Sequence, residues 1–201
     1  MISILCFFGV SYLLIVAYLY FNQEGMIFQP EVLVKDYKFS FSGRFEEVMI
    51  QVEDNVSLNG VLFKSERTKG LVFYLHGNGG SLKGWGDIAK TYTDMGYDIF
   101  ILDYRGYGKS GGKIISESQF FDDVKKAYAF LLKSYSEDTV IITVYSIGTG
   151  PATMLASVNH PKALVLQAPY YSLKETVSTI VPFVPGFIKK YKLKLINICA
   201  M

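Results

Sequence analysis

The chain has 201 residues, of which 50% are hydrophobic and 19% charged, with a formal net charge of +2. That length holds one domain with a real core. Its apolar content excludes a disordered chain, and so slight a charge excess excludes the clustered basic face that nucleic acid requires. The two cysteines, Cys6 and Cys199, lie near opposite ends and form no CxxC pair, which argues against a disulfide framework or a zinc site.

Residues 1–22 are the most apolar part. From Met1 to Gln23 there is no charged side chain, and the twenty residues Ile2 to Phe21 would rise ~30 Å as a helix, enough to cross a hydrocarbon core. Tyr18 and Tyr20 sit where an interfacial aromatic belt would lie. A cleaved signal peptide and a buried core helix compete with a single-pass anchor. No Lys or Arg precedes the run, no clear A-x-A site follows it, and an amphipathic stripe is missing, so the anchor is favoured. Lys35, Lys38 and Arg44 follow the span, but Glu24, Glu31 and Asp36 lie among them, and the side of the membrane stays open.

Residues 23–45, with Gly25 and Pro30, are expected to be a linker, and 46–192 the folded domain. Glu47 to Val52 and Ser57 to Lys64 predict a hairpin turning at Glu53-Asp54-Asn55. Gly70 to Leu75 is a short apolar strand. Trp85 to Met95 has helical spacing, with Gly96 as its cap. Tyr97 to Leu102 is another buried strand, and Glu117 to Tyr135 a helix with Phe120, Val124, Ala127 and Leu131 on one face. Thr139 to Tyr145 and Ala163 to Gln167 are further strands, with a helix over Pro151 to Val158 between them. Short apolar strands alternating with helices imply an α/β fold, a mostly parallel sheet covered on both faces and made mixed by the hairpin.

Three features fall at strand ends, where open α/β sheets place their sites. In Val144-Tyr145-Ser146-Ile147-Gly148 a serine stands between a strand and a helix, with Gly two residues on. His76-Gly77-Asn78-Gly79-Gly80 follows the strand that ends at Leu75. Asp103-Tyr104-Arg105-Gly106-Tyr107-Gly108-Lys109-Ser110 follows the next strand. Two nucleotide readings of this last loop fail. A phosphate-binding loop needs a glycine where Asp103 stands. A dinucleotide fingerprint needs an acidic residue at the end of the next strand, which closes with Val144-Tyr145.

In this order and spacing the motifs resemble the α/β-hydrolase superfamily over about residues 22–191. The nearest type is the membrane-anchored acyl hydrolases, lysophospholipase-like or serine-aminopeptidase-like, with an HGNGG loop. The first motif resembles the nucleophile elbow G-x-S-x-G, except that Val144 stands where the family usually has Gly. Its branched side chain is expected to crowd the turn. The resemblance implies Ser146 as nucleophile, the backbone N–H groups of Asn78 and Ile147 as oxyanion donors, and His76, Gly77 and Gly148 as support for these motifs. It implies acyl transfer from an ester, thioester or amide, a small-molecule or lipid acyl substrate, and no cofactor, metal or nucleotide.

The family order is Ser, then Asp or Glu, then His. After Ser146 the only histidine is His160 and the only acid is Glu175, in the wrong order. His160 precedes the strand Ala163 to Gln167, which puts it at the far end of the sheet. Leu193 to Met201 departs from the family pattern. A truncated or frame-shifted hydrolase, inactive or nearly so, is therefore expected. The alternative is a non-catalytic pseudo-hydrolase that binds a lipid or protein partner.

Overall fold

The computed structural model describes residues 2–170, with the side chains of residues 2–5, 23, 24 and 26 left aside. Residues 171–201, including Glu175 and the divergent tail 193–201, lie outside the described residues.

The first helix, α1 (Ile2–Ile27), runs five residues beyond the expected span 1–22. Phe7, Phe8, Leu13, Leu14 and Phe21 stand exposed along it, while Val16 is buried. Apolar side chains therefore face outward around most of the helix. Among the described residues, no helix is long and apolar enough to cross a membrane; the described side chains of α1 are those of residues 6–22 and Ile27.

Six strands form one sheet: β1 (Arg44–Glu53), β2 (Val56–Lys64), β3 (Leu71–Leu75), β4 (Asp98–Leu102), β5 (Val140–Tyr145) and β6 (Ala163–Gln167). Their order across the sheet is β1-β2-β4-β3-β5-β6. β1 and β2 form the expected hairpin, closed by the two-residue turn Asp54-Asn55. β2 pairs antiparallel with β4, and the remaining pairs are parallel. All five residues of β3 and of β4 are buried, as strands covered on both faces should be. Gly60 of β2 leaves room for a ring: a Cβ there would lie 2.1 Å from Phe100.

Helix α4 (Glu117–Leu131) lays Phe120, Val124, Ala127 and Leu131 against one face of the sheet, among Phe73, Phe100, Ile142 and Val144. Its Ser116 N-cap accepts from Gln119 N–H at 3.2 Å. The helix stops four residues before Tyr135, where the chain tightens into turns, Lys133 and Ser134 N–H donating three residues back to Phe130 and Leu131 C=O; the Tyr135 hydroxyl donates to Asp98 at 2.6 Å. α5 (Thr149–Val158) joins α4 on this face, and the short helices α2 (Leu82–Trp85) and α3 (Ala89–Asp94) lie on the other. The single helix expected over 85–95 is instead two, joined by a 3-10 turn. It starts earlier, at the Ser81 cap, and tightens at Gly86, where the Phe41 ring lies against the backbone.

The segment expected as a linker is fastened down. Gln29–Pro30 pairs with Gly79–Gly80, Val32 bridges to Gly108, and Leu33 N–H donates to Gly108 C=O at 2.8 Å. Glu31 pairs with Lys83 at 2.7 Å and accepts from the Ser81 hydroxyl at 2.8 Å. Phe39 and Phe41 stack and pack beside Phe63 on the α2/α3 face. β6, at the sheet edge, is half exposed, with Ala163 and Val165 open on one face.

Two buried ionic groups tie the frame together. Arg105 is 3% exposed and makes a two-pronged bond to Asp123 of α4, with Glu53 of the hairpin on its outer side. Asp98 is 3% exposed and accepts from Lys64, the Ser65 N–H and the Tyr135 hydroxyl. Burial alone would raise the Asp98 carboxyl, but these hydrogen bonds outweigh it and hold its pKa below the usual value. Its contribution is therefore present above the unfolded value of about 3.9 and lost as pH falls through the folded one. Urea unfolding should show stability falling as pH drops from 5 to 3. The Asp98→Asn variant should show a shallower fall and start about 2 kcal/mol less stable at pH 7. Arg105→Lys keeps the charge but loses the two-pronged geometry, and should destabilise by about 2 kcal/mol in the same assay.

Candidate active site

β5 ends at Tyr145 with extended backbone, and the next residue, Ser146, has φ +50°. For a residue with a side chain this left-handed conformation costs about 1–3 kcal/mol, so the surroundings must impose it. They do so by bringing strand and helix together. The chain turns at once into a 3-10 turn, Ser146–Gly148, and then α5. A Cβ on Gly148 would lie 2.5 Å from Val144 Cγ2 and 2.9 Å from Leu75 Cβ, so only glycine fits. Val144, expected to crowd the elbow, is fully buried and points into the space that Gly148 leaves. The crowding does not occur: at this end the missing Cβ of Gly148 is enough.

The elbow is held from below. The Thr149 hydroxyl donates to Ser146 C=O at 2.6 Å, and the Tyr170 hydroxyl to Ile147 C=O at 3.2 Å. Ser146 itself is half-buried and Ile147 buried. Ile147 is the second residue of the helical run, and the first N–H groups of a helix have no intrahelical acceptor. Its N–H is thus a donor available at the serine.

Leu75 pairs with Val144 across β3 and β5, so His76-Gly77-Asn78 leaves the sheet beside Tyr145-Ser146-Ile147. Gly77 sits between two rings: a Cβ would lie 3.0 Å from Tyr145 and 3.2 Å from Trp85. The Asn78 C=O accepts from Gln29 N–H at 2.9 Å and from the Tyr107 hydroxyl at 2.8 Å. Its side-chain amide donates to Ile27 C=O at 2.9 Å. Among the described residues nothing accepts from the Asn78 N–H, so both expected oxyanion donors are on neighbouring strand ends and unspent.

His76 is fully buried under this loop. Its ring packs against Tyr104, Tyr107 and Trp85, with centroids 4.3, 5.3 and 5.8 Å away, and Nδ1 lies 2.7 Å from Gly77 C=O. Nε2 approaches Asp103 Oδ1 at 3.2 Å without the alignment of a hydrogen bond. Burial pushes the Asp103 carboxyl up, against the opposing pull of His76 and the Leu82 N–H. Its loop closes tightly: a Cβ on Gly108, at φ +50°, would lie 1.8 Å from Asp103 Oδ2. The Ser110 hydroxyl donates to Asp103 C=O at 2.8 Å. Lys109 is committed internally to Glu47, to Tyr37 C=O and to the Phe39 ring.

The structure brings Ser146, Ile147, Gly148, Gly77 and Asn78 together and sets His76 beneath them as a brace. It does not bring His160. That residue is exposed, before β6 at the amino end of the sheet, about 16 Å of strand from the serine end. Among the described residues nothing hydrogen-bonds Ser146 Oγ. Trp85, Tyr107 and the Ile27–Glu31 strap were missed in the sequence. The strap acts through backbone groups, which leave no pattern. The Ser81 cap ahead of Trp85 was the one legible signal.

Comparison with known proteins gives a family and a fold. Residues 66–197 match the model of a family described as serine aminopeptidase, S33. Protein bem46 of Schizosaccharomyces pombe is 28% identical over 159 residues, 75% of this chain and 53% of that protein. The lysophosphatidylserine lipase ABHD12 of Xenopus tropicalis is 30% identical over 169 residues, 69% of this chain and 44% of that one. This chain thus spans about half the length of the curated relatives it matches. Among solved structures, an alpha-beta hydrolase from Vibrio vulnificus superposes with a TM-score of 0.62 at 23% identity, over 75% of this chain and 57% of that one. The Pyrococcus furiosus esterase Pf2001 gives 0.61 at 24% identity, over 85% and 71%. At that identity the likeness is one of fold, that of the α/β hydrolases. Together with the match over residues 66–197, it places the chain in the serine aminopeptidase S33 family.

Proposed function

We infer that the chain carries the nucleophile and oxyanion hole of a serine acyl hydrolase held at a membrane by α1. The left-handed Ser146 between β5 and α5, with the Asn78 loop beside it, carries the reading. Ser146 Oγ bonds to the carbonyl carbon of an ester, thioester or amide, and its proton passes to a base. The carbonyl oxygen takes the negative charge and accepts from the N–H groups of Asn78 and Ile147. A donor of this kind lowers the barrier by ~3 kcal/mol. The bond to the leaving group breaks as that group takes the proton, and water then releases the acid from the serine. The lipase among the relatives favours a lipid acyl ester as substrate. The outward apolar residues of α1, Phe7, Leu13, Leu14 and Phe21 among them, favour a lipid surface.

The 201 residues hold two imidazoles, and neither stands beside Ser146: His76 is stacked under the loop and His160 lies at the opposite sheet end. The described residues therefore offer the serine no proton acceptor, and turnover by this chain alone is near background. The same observation favours a second reading, a pseudo-hydrolase that binds a lipid or a protein without cleaving it. A fluorophosphonate probe separates the readings. It should label Ser146 on the order of 10⁴-fold more slowly than a hydrolase with a complete triad, and Ser146→Ala should abolish the label. Fast labelling at Ser146 would reveal a base outside the described residues and exclude the pseudo-hydrolase. Labelling that survives Ser146→Ala would refute the nucleophile.

A further inference from the structure

A cavity of about 280 Å³ opens where α1 meets the domain, lined by Gly25, Phe28, Pro30, Tyr107, Lys113 and Ile114, with Arg105 and Gly106 also on its wall. Its walls are mainly apolar. Phe28 and Ile114 also pack on the main core, so the cavity has a built floor and is no mere surface dent. The guanidinium of Arg105 is committed to Asp123 and Glu53. Lys113, by contrast, is exposed at the rim, and among the described residues no carboxylate pairs with it. An apolar recess with one uncommitted cation at its mouth fits an apolar tail carrying an anionic head. Its volume falls just below the usual range for ligand sites and suits one narrow chain, not a two-chain lipid.

We propose that this cavity binds a single-chain anionic amphiphile, its alkyl chain between Phe28, Tyr107 and Ile114 and its head at Lys113. Two of the walls also hold the Asn78 loop. The Tyr107 hydroxyl donates to Asn78 C=O, and Pro30 pairs with Gly80. A chain seated against both braces the loop at once. Occupancy is independent of the hydrolase reading; its influence on catalysis through Asn78 rests on that reading.

The test uses the full chain in phosphatidylcholine vesicles with diazirine-bearing dodecanoate, dodecyl phosphate and dodecanol. The anionic probes should crosslink to Phe28, Tyr107 or Ile114. Ile114→Trp, which fills the recess, should reduce that label at least fivefold. Lys113→Glu should reduce both anionic labels several-fold and leave dodecanol unchanged. Ser146→Ala should change nothing, which separates this site from the serine. Unlabelled dodecanoate should slow hydrogen exchange at Asn78, Gly79 and Gly80. A preference between carboxylate and phosphate assigns the source, a free fatty acid or a lysophospholipid, and either supports the site. The proposal is overturned if label is confined to residues 2–27, persists in folded Ile114→Trp, or disappears in Ser146→Ala. Should Ile114→Trp not fold, anionic labelling undiminished by Lys113→Glu overturns it.

Discussion

The site depends on how closely α5 can approach the end of β5. A Cβ on Gly148 would collide with Val144 and Leu75, so the helix comes this close only as glycine, and Ser146 at the turn takes left-handed backbone. Strain at one residue is stable only when its neighbours over-determine it. Here the hydroxyls of Thr149 and Tyr170 hold the carbonyls of Ser146 and Ile147, and Val144 fills what Gly148 vacates. The serine is thus presented by two carbonyl hydrogen bonds and one packing contact, and among the described residues not by any bond to its own hydroxyl.

The oxyanion loop is built by a different device, an aromatic cushion. Tyr104, Tyr107 and Trp85 each pack on the His76 ring beneath it, with Asp103 beside the imidazole. Hydroxyls of the cushion rise to the loop carbonyls, Tyr104 to His76 and Tyr107 to Asn78. Trp85 Nε1 donates to Gly79 C=O at 2.8 Å. The loop carbonyls are thus held by the cushion and by the N–H groups of Gln29 and Glu31. The glycines of Asp103–Ser110 belong to this frame, since Gly108 admits the Asp103 carboxylate where a phosphate-binding loop would admit a ligand.

Much of this was legible in the chain. β3, β4 and β5 are continuous apolar runs, and strands buried on both faces leave that mark. The elbow and the loop were legible because each demands glycine at fixed offsets, as Gly148 and Gly77 show. Val144 misled because its crowding was judged without its partner, and the missing Cβ across the turn supplies the room. The helix over 85–95 misled because Gly86 was read as a helical residue, when a distant phenylalanine had claimed its space. The segment 23–45 looked like a linker because its ties are main-chain bonds to Gly79, Gly80 and Gly108, and no side-chain pattern records those.

The short distance from α1 to Asn78 bears on reach. The last residue of the helix bonds directly to the loop residue, and the next few are zipped to its glycines. A free tether of some twenty residues would let a domain sweep a wide volume and meet solutes in bulk water. A stiff joint allows no such sweep. If the helix is set in a bilayer, the serine rides at one fixed height above it, and molecules must come to it sideways, sliding in the plane of the lipid.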